Sequence, residues 1–262
     1  MTIIKHELKM NFKSLLIWTL SVGLMSFVFV LMFPGLKTTL LDMADAYSNM
    51  GGFSTAFGMD KLNLGELMGF YGTEIGVIFT LGSSLFAALL GIGILSKEEG
   101  GHTSEFLFSL PISRKQVVLE KLLSILFILF LYNLAFILLM VLGFAFIGED
   151  VDVKGFILFH LASFLMCIKI SCICFALSSF SKKAALGSGL SVALLLYFAD
   201  LMAKIIEDTK FLRYITPFSY ADAADIIATG SIHSDYLIPG IIITIASIFT
   251  GFLIYTKKDL AS

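Results

Sequence analysis

The sequence predicts an all-α, polytopic membrane protein with six transmembrane helices, and three observations predict it. Of 262 residues, 58% are hydrophobic and only 15% charged, against about 45–50% apolar and about 25% charged in soluble domains. Mean hydropathy is +0.94, and the apolar residues gather into runs long enough to cross about 30 Å of hydrocarbon, which takes about 20 residues. Lys and Arg, finally, concentrate in alternate connecting segments. An ordinary soluble domain is excluded. A net charge of -2, from 18 basic and 20 acidic residues, also offers no basic face for nucleic acid. The whole chain, 1–262, reads as a single transmembrane domain.

Residues 1–14 place Ile4, Leu8, Phe12 and Leu15 at helical spacing beside a stripe of Lys5, Lys9 and Lys13. This predicts an N-terminal interfacial amphipathic helix; a charged lead-in to the first span fits equally well. The spans follow at about 15–33, 75–95, 122–147, 156–180, 184–203 and 237–255. The first ends at Phe33-Pro34 with no small-x-small cleavage signal, so it is expected to stay in the mature chain. Segment 34–74 mixes Asp42, Asp45, Asp60 and Glu66 with Met and Phe around Gly51-Gly52. It is too apolar for a linker and is expected to pack on the outer mouth of the bundle. In 200–236, Thr216-Pro217-Phe218-Ser219-Tyr220 precedes an Ala-rich run and a Thr229-Gly230 stop. Two short outer helices are expected there, re-entrant where protein can satisfy their backbone.

Orientation follows from the positive-inside rule. One set of segments, the N-terminus, 96–121, 181–183 and the C-terminus, holds eleven Lys or Arg and six acids, whereas the other set holds six and fourteen. Both termini are therefore expected in the cytoplasm, with the chain multi-pass in the plasma membrane.

The inner segment carries the most information. Gly100-Gly101 breaks the second span's helix after Glu98-Glu99, Thr103 caps a two-turn amphipathic helix, 103–110, and Pro111 ends it. Ser113 and Gln116 then form a capping box for the third span. A helix this short is unstable alone, and so structured a loop suits docking to a cytoplasmic partner better than simple connection. Its residues Glu98, Glu99, Gly101, Thr103, Glu105, Leu107, Ser109, Pro111, Ile112, Ser113, Arg114 and Lys121 resemble the inner-loop motif of permease subunits of type-2, export-class ABC transporters. His102, between Gly101 and Thr103, departs from that motif. Pro217-Phe218-Ser219-Tyr220 before the last span, and Tyr255-Thr256-Lys257-Lys258-Asp259-Leu260 after it, match in the right order. The resemblance covers essentially the whole chain.

The resemblance implies a bacterial transmembrane permease domain that pairs with a second permease, identical or homologous, and with two cytoplasmic ABC ATPase subunits that hold ATP and Mg. No Gly-Lys pair, and so no phosphate-cradling loop, occurs in this sequence. It implies further that segment 98–115 is a cytoplasmic coupling helix with its flanks, Thr103, Glu105, Phe106, Leu110 and Pro111 seating in the ATPase while Glu98, Glu99 and Arg114 make polar contacts. This chain is thus expected to form the path of an ATP-driven exporter and to be no enzyme itself.

Within the spans, Lys169 is the charge that stands out, because ionisable groups in hydrocarbon face an interior and mark function. It and His160 are candidate residues of the translocation path. The alternatives for Lys169 are a pair with a carboxylate such as Asp200, or snorkelling. A secondary transporter or an intramembrane enzyme with Lys169 as its key polar residue is the competing function. Cys167, Cys172 and Cys174 read as buried hydrophobes, with no metal or catalytic assignment.

Overall fold

The computed structural model describes residues 2–101, 103 and 112–258. Among these no strand occurs, and six helices are long and apolar enough to cross a membrane. Helix α1 is Thr2–Ser48, followed by α2 (Gly52–Phe57). The second span is composite, with α3 (Leu67–Phe70), one π-turn at Tyr71–Ile75, and α4 (Gly76–Gly93). A single turn, α5 (Lys97–Gly100), leads to the undescribed stretch 104–111. Then come α6 (Arg114–Ile147), α7 (Val153–Phe180) and α8 (Leu186–Ile205). Two short 3₁₀ pieces, Glu207–Tyr214 and Phe218–Tyr220, precede α9 (Ala223–Thr229) and the last span, α10 (Ser234–Lys257).

Two expectations are corrected at the start of the chain. The interfacial helix is not a separate element: residues 2–48 form one helix of 47 residues, about 70 Å at 1.5 Å rise, so it overhangs the hydrocarbon. Its packed face is Ile3 and Glu7, both buried, while Phe12 of the expected apolar stripe is exposed. Nor does Pro34 end the helix. Proline only removes the bond to the carbonyl four residues back, and the fully buried Val30 and Phe33 hold that turn against the bundle. A Pro-containing helix survives in a membrane when neighbours support it.

Of segment 34–74, residues 34–48 continue α1 and 34–53 include no buried residue, whereas the later part packs on the bundle with Ala56, Met59 and Leu64 buried. Gly58 turns left-handed (φ 73°) where a Cβ would lie 2.1 Å from the Ala224 methyl, so only glycine fits.

The second span is the centre of the bundle. In its most apolar stretch 72% of residues are buried, against 11% in α10. It packs on α7 and α8, while α1 lies along α6. Glycine makes the closest crossing possible: a Cβ on Gly91 would stand 2.3 Å from the Ser171 carbonyl oxygen of α7. Gly91→Val is therefore expected to separate α4 from α7 and to lower the thermal unfolding temperature in detergent by several degrees, read beside Gly187→Val, whose site is open and which is expected to be neutral. Gly72 and Gly76 are further points of close packing, where Ile227 and Ala223 approach them. That pair serves packing within the chain.

Candidate coupling site and buried charges

At the end of the bundle where α1 starts and α10 finishes, five chain segments meet on a lattice of charges. Lys121, in the second turn of α6, is fully buried. Its ammonium donates to the Ile94 carbonyl (2.6 Å), to Glu98 and to Glu7 (3.3 Å). Lys97 also binds Glu7. Three donors on one ammonium, matched to two carboxylates and a carbonyl left over at a helix end, make this burial tolerable.

A second node lies beside it. The Lys258 ammonium donates to Glu99 (2.7 Å) and to the Ser181 carbonyl (2.7 Å), and Arg114 donates to the Lys258 carbonyl (2.7 Å). The Ser178 hydroxyl accepts from the amides of Leu95 and Ser96 (3.1 and 3.2 Å), satisfying the end of α4. Ser113 caps α6 by accepting from the Gln116 amide (3.2 Å), as the spacing predicts. The Gln116 side chain goes to Glu120 (2.9 Å) instead of back to the cap, and Glu120 accepts from the Ile3 amide (3.2 Å).

Glu98, Glu99 and Arg114 thus come together with Thr103, whose amide donates to the Glu98 carbonyl (2.9 Å). Glu99 is buried and Glu98 nearly so. Their carboxylates bind this chain's own lysines. Glu105, Phe106, Leu110 and Pro111 lie outside the described residues, as do Asp259 and Leu260. The sequence reading missed Glu7 and mentioned Lys121 only as a motif match. Glu7 shows only as an acid interrupting a basic stripe.

A family model described as ABC-2 family transporter protein matches residues 1–260. The chain belongs to the ABC-2 transporter permease family. Its helical, six-span architecture accords with that, and it is a transmembrane subunit of an ABC transporter, a transport component that is not itself catalytic. A search of curated proteins finds no match.

Inside the bundle of this ABC-2 permease, Lys169 and His160 are fully enclosed. The Lys169 ammonium donates to the Ile215 carbonyl (2.6 Å) and lies 5.8 Å from the centre of the Tyr220 ring. Asp200, the alternative partner for Lys169, is elsewhere, binding Lys204 (3.2 Å) and accepting from the Ser219 hydroxyl (2.8 Å). Lys169 stands sixteen residues into α7, about 24 Å from its first turn. The segment after the first 3₁₀ piece therefore packs against the middle of α7. Ser171 donates to the Ile168 carbonyl (2.9 Å). His160 joins Tyr71 (2.8 Å) and Asn133 (3.3 Å) inside a shell of Phe79, Phe136, Phe156 and Phe159.

A third polar node fixes the outer segment. Lys204 bridges Asp200 and Asp222, Lys61 and Arg213 share Asp225, and Asp222 also caps α9. Burial pushes the Asp222 carboxyl up, but the Lys204 ammonium outweighs it and holds the group down at about 2. The one legible signal was the Asp200–Lys204 spacing of four residues.

Proposed function

We propose that this chain forms the translocation path of an ATP-driven exporter and takes its power stroke through segment 98–115 from a separate ATP-binding subunit. The observation that carries the reading is the charge lattice behind that segment. A push on Glu98 and Glu99 reaches α1 through Glu7, α6 through Lys121 and the end of α10 through Lys258, so four helices move as one body. On this reading Thr103, Glu105, Phe106, Leu110 and Pro111 make the contact with the ATPase, whereas Glu98, Glu99 and Arg114 hold the contact in place. The partners are two cytoplasmic ABC ATPases, which bind ATP and Mg, and a second permease, identical or homologous. The lattice end, rich in lysine, faces the cytoplasm of a bacterial cell, in agreement with the positive-inside rule. Lys169 and His160 serve the path by shaping it: Lys169 ties down the re-entrant segment and His160 ties α7 to α6 and to the π-turn.

Extraction of the tagged chain from its native membrane tests the class. A P-loop ATPase is expected to accompany the wild type, to be lost with Leu110→Asp, and to be weakened with Arg114→Glu, which sets a carboxylate against the Lys258 carbonyl. Folded wild-type protein isolated without an ATPase, or ATPase retained equally by both variants, would overturn the reading.

A further inference from the structure

Glu74 sits in the π-turn, and among the described residues it has no hydrogen-bond or ion-pair partner. Neighbouring contacts set its depth: Phe70 packs on Phe29 and Phe33, and Gly82 meets Val22. Glu74 therefore stands level with residues 28–29 of α1, more than a turn inside the apolar stretch that ends at Phe33.

Its direction is set by burial. This span is otherwise the most enclosed of the six, yet Glu74, Ile78, Leu81, Leu85 and Leu89 are all half-buried. They recur every three or four residues, so they form one stripe along the helix. Packing contacts flank the stripe on both sides. On one, Trp18 of α1 stacks on Phe86; on the other, Val77 and Thr80 share a cavity with Tyr197 and Asp200 of α8. The result is an apolar track floored by α4 with one anionic group at its outer end.

We infer that this track binds cationic amphiphiles, the positive head group at Glu74 and the apolar body along Ile78, Leu81, Leu85 and Leu89. An unpaired carboxylate at this depth is costly unless it meets water or a cation, and π-turns inside α-helices recur at functional sites because they re-aim side chains. Charge selects the sign of the ligand, and the run of aliphatic side chains selects its shape. This inference deepens the transport reading by naming a cargo class, and it rests on that reading for its role in export.

Binding is tested without the ATPase. The chain is placed in nanodiscs of zwitterionic lipid, and labelled dodecyltrimethylammonium and dodecyl sulfate are titrated below their micellar concentrations, with protein-free discs subtracted. Glu74→Gln is expected to weaken the cation roughly tenfold, the scale of one partly screened ion pair, and not to weaken dodecyl sulfate. Glu74→Asp keeps the charge and is expected to retain cation binding within about threefold on the same scale. Unchanged cation binding in Glu74→Gln, or an equal loss for both amphiphiles, would overturn the inference. Failure to recover an ATPase with the chain would leave this binding result standing and remove only the coupling reading.

Discussion

Lys121→Met is expected to cost more stability than any other single substitution at the coupling end, about 3–5 kcal/mol, the loss typical when one partner of a buried ion pair is removed. The methionine fills the volume but leaves the Glu7 and Glu98 carboxylates facing each other, and leaves the Ile94 carbonyl without its donor. Glu98 already keeps one oxygen, Oε2, buried without a hydrogen-bond partner, so its remaining bond to Lys121 carries the full compensation for its charge. A drop in unfolding temperature in detergent checks the size. The triple variant Lys121→Met, Glu7→Gln, Glu98→Gln is expected to regain most of that loss, because neutral amides can share hydrogen bonds where two carboxylates repel. ATPase stimulation in the triple variant is expected to stay low, since the ionic tie between α1, α5 and α6 is gone. A triple variant no more stable than Lys121→Met would show that packing, and not charge, governs the site.

Lys204→Met is expected to be comparably severe at the opposite end, again about 3–5 kcal/mol. It leaves the Asp200 and Asp222 carboxylates close together, with the Ser219 hydroxyl and the Asp225 amide as their donors among the described residues. The same node gives the wild type a defined acid response. The Asp222 carboxyl is held at about 2 against its ordinary 3.8, so its contribution is fully present above about pH 4 and disappears as the pH falls through about 2. Thermal stability followed across that window is expected to fall in the wild type and to fall less in Asp222→Asn, which starts lower at neutral pH because it has given up the Lys204 bond. Equal acid slopes in the two proteins would place the wild type's loss at other groups.

Legibility differed sharply between the spans and the sites. Six spans followed from hydropathy because lipid imposes a length and a composition that no soluble core demands. The boundaries drifted outward, to Arg114 and Val153 for α6 and α7, because helices continue past the hydrocarbon wherever caps such as Ser113 and Asp152 allow. Pro34 misled for a specific reason. Local rules treat proline as a stop, but the neighbours that sustain a helix through it come from α6 and α3, far away in sequence. In segment 98–115, the glycine pair showed where the second span's helix breaks. What its acids Glu98 and Glu99 do was hidden, because their partners are 23 and 159 residues away.

Composition and charge placement alone determined a six-span membrane protein, its lysine-rich side and the segment that breaks the second span, since each depends only on what water and lipid do to a local stretch of chain. The pairing of Lys169 with a carbonyl, the surrender of Asp200 to Lys204, the burial of Glu98 and Glu99 and the half-buried position of Glu74 were decided by the tertiary structure. A buried charge takes whatever partner the packed helices bring within about 3 Å, and that distance is set by how the helices assemble, not by spacing along the chain.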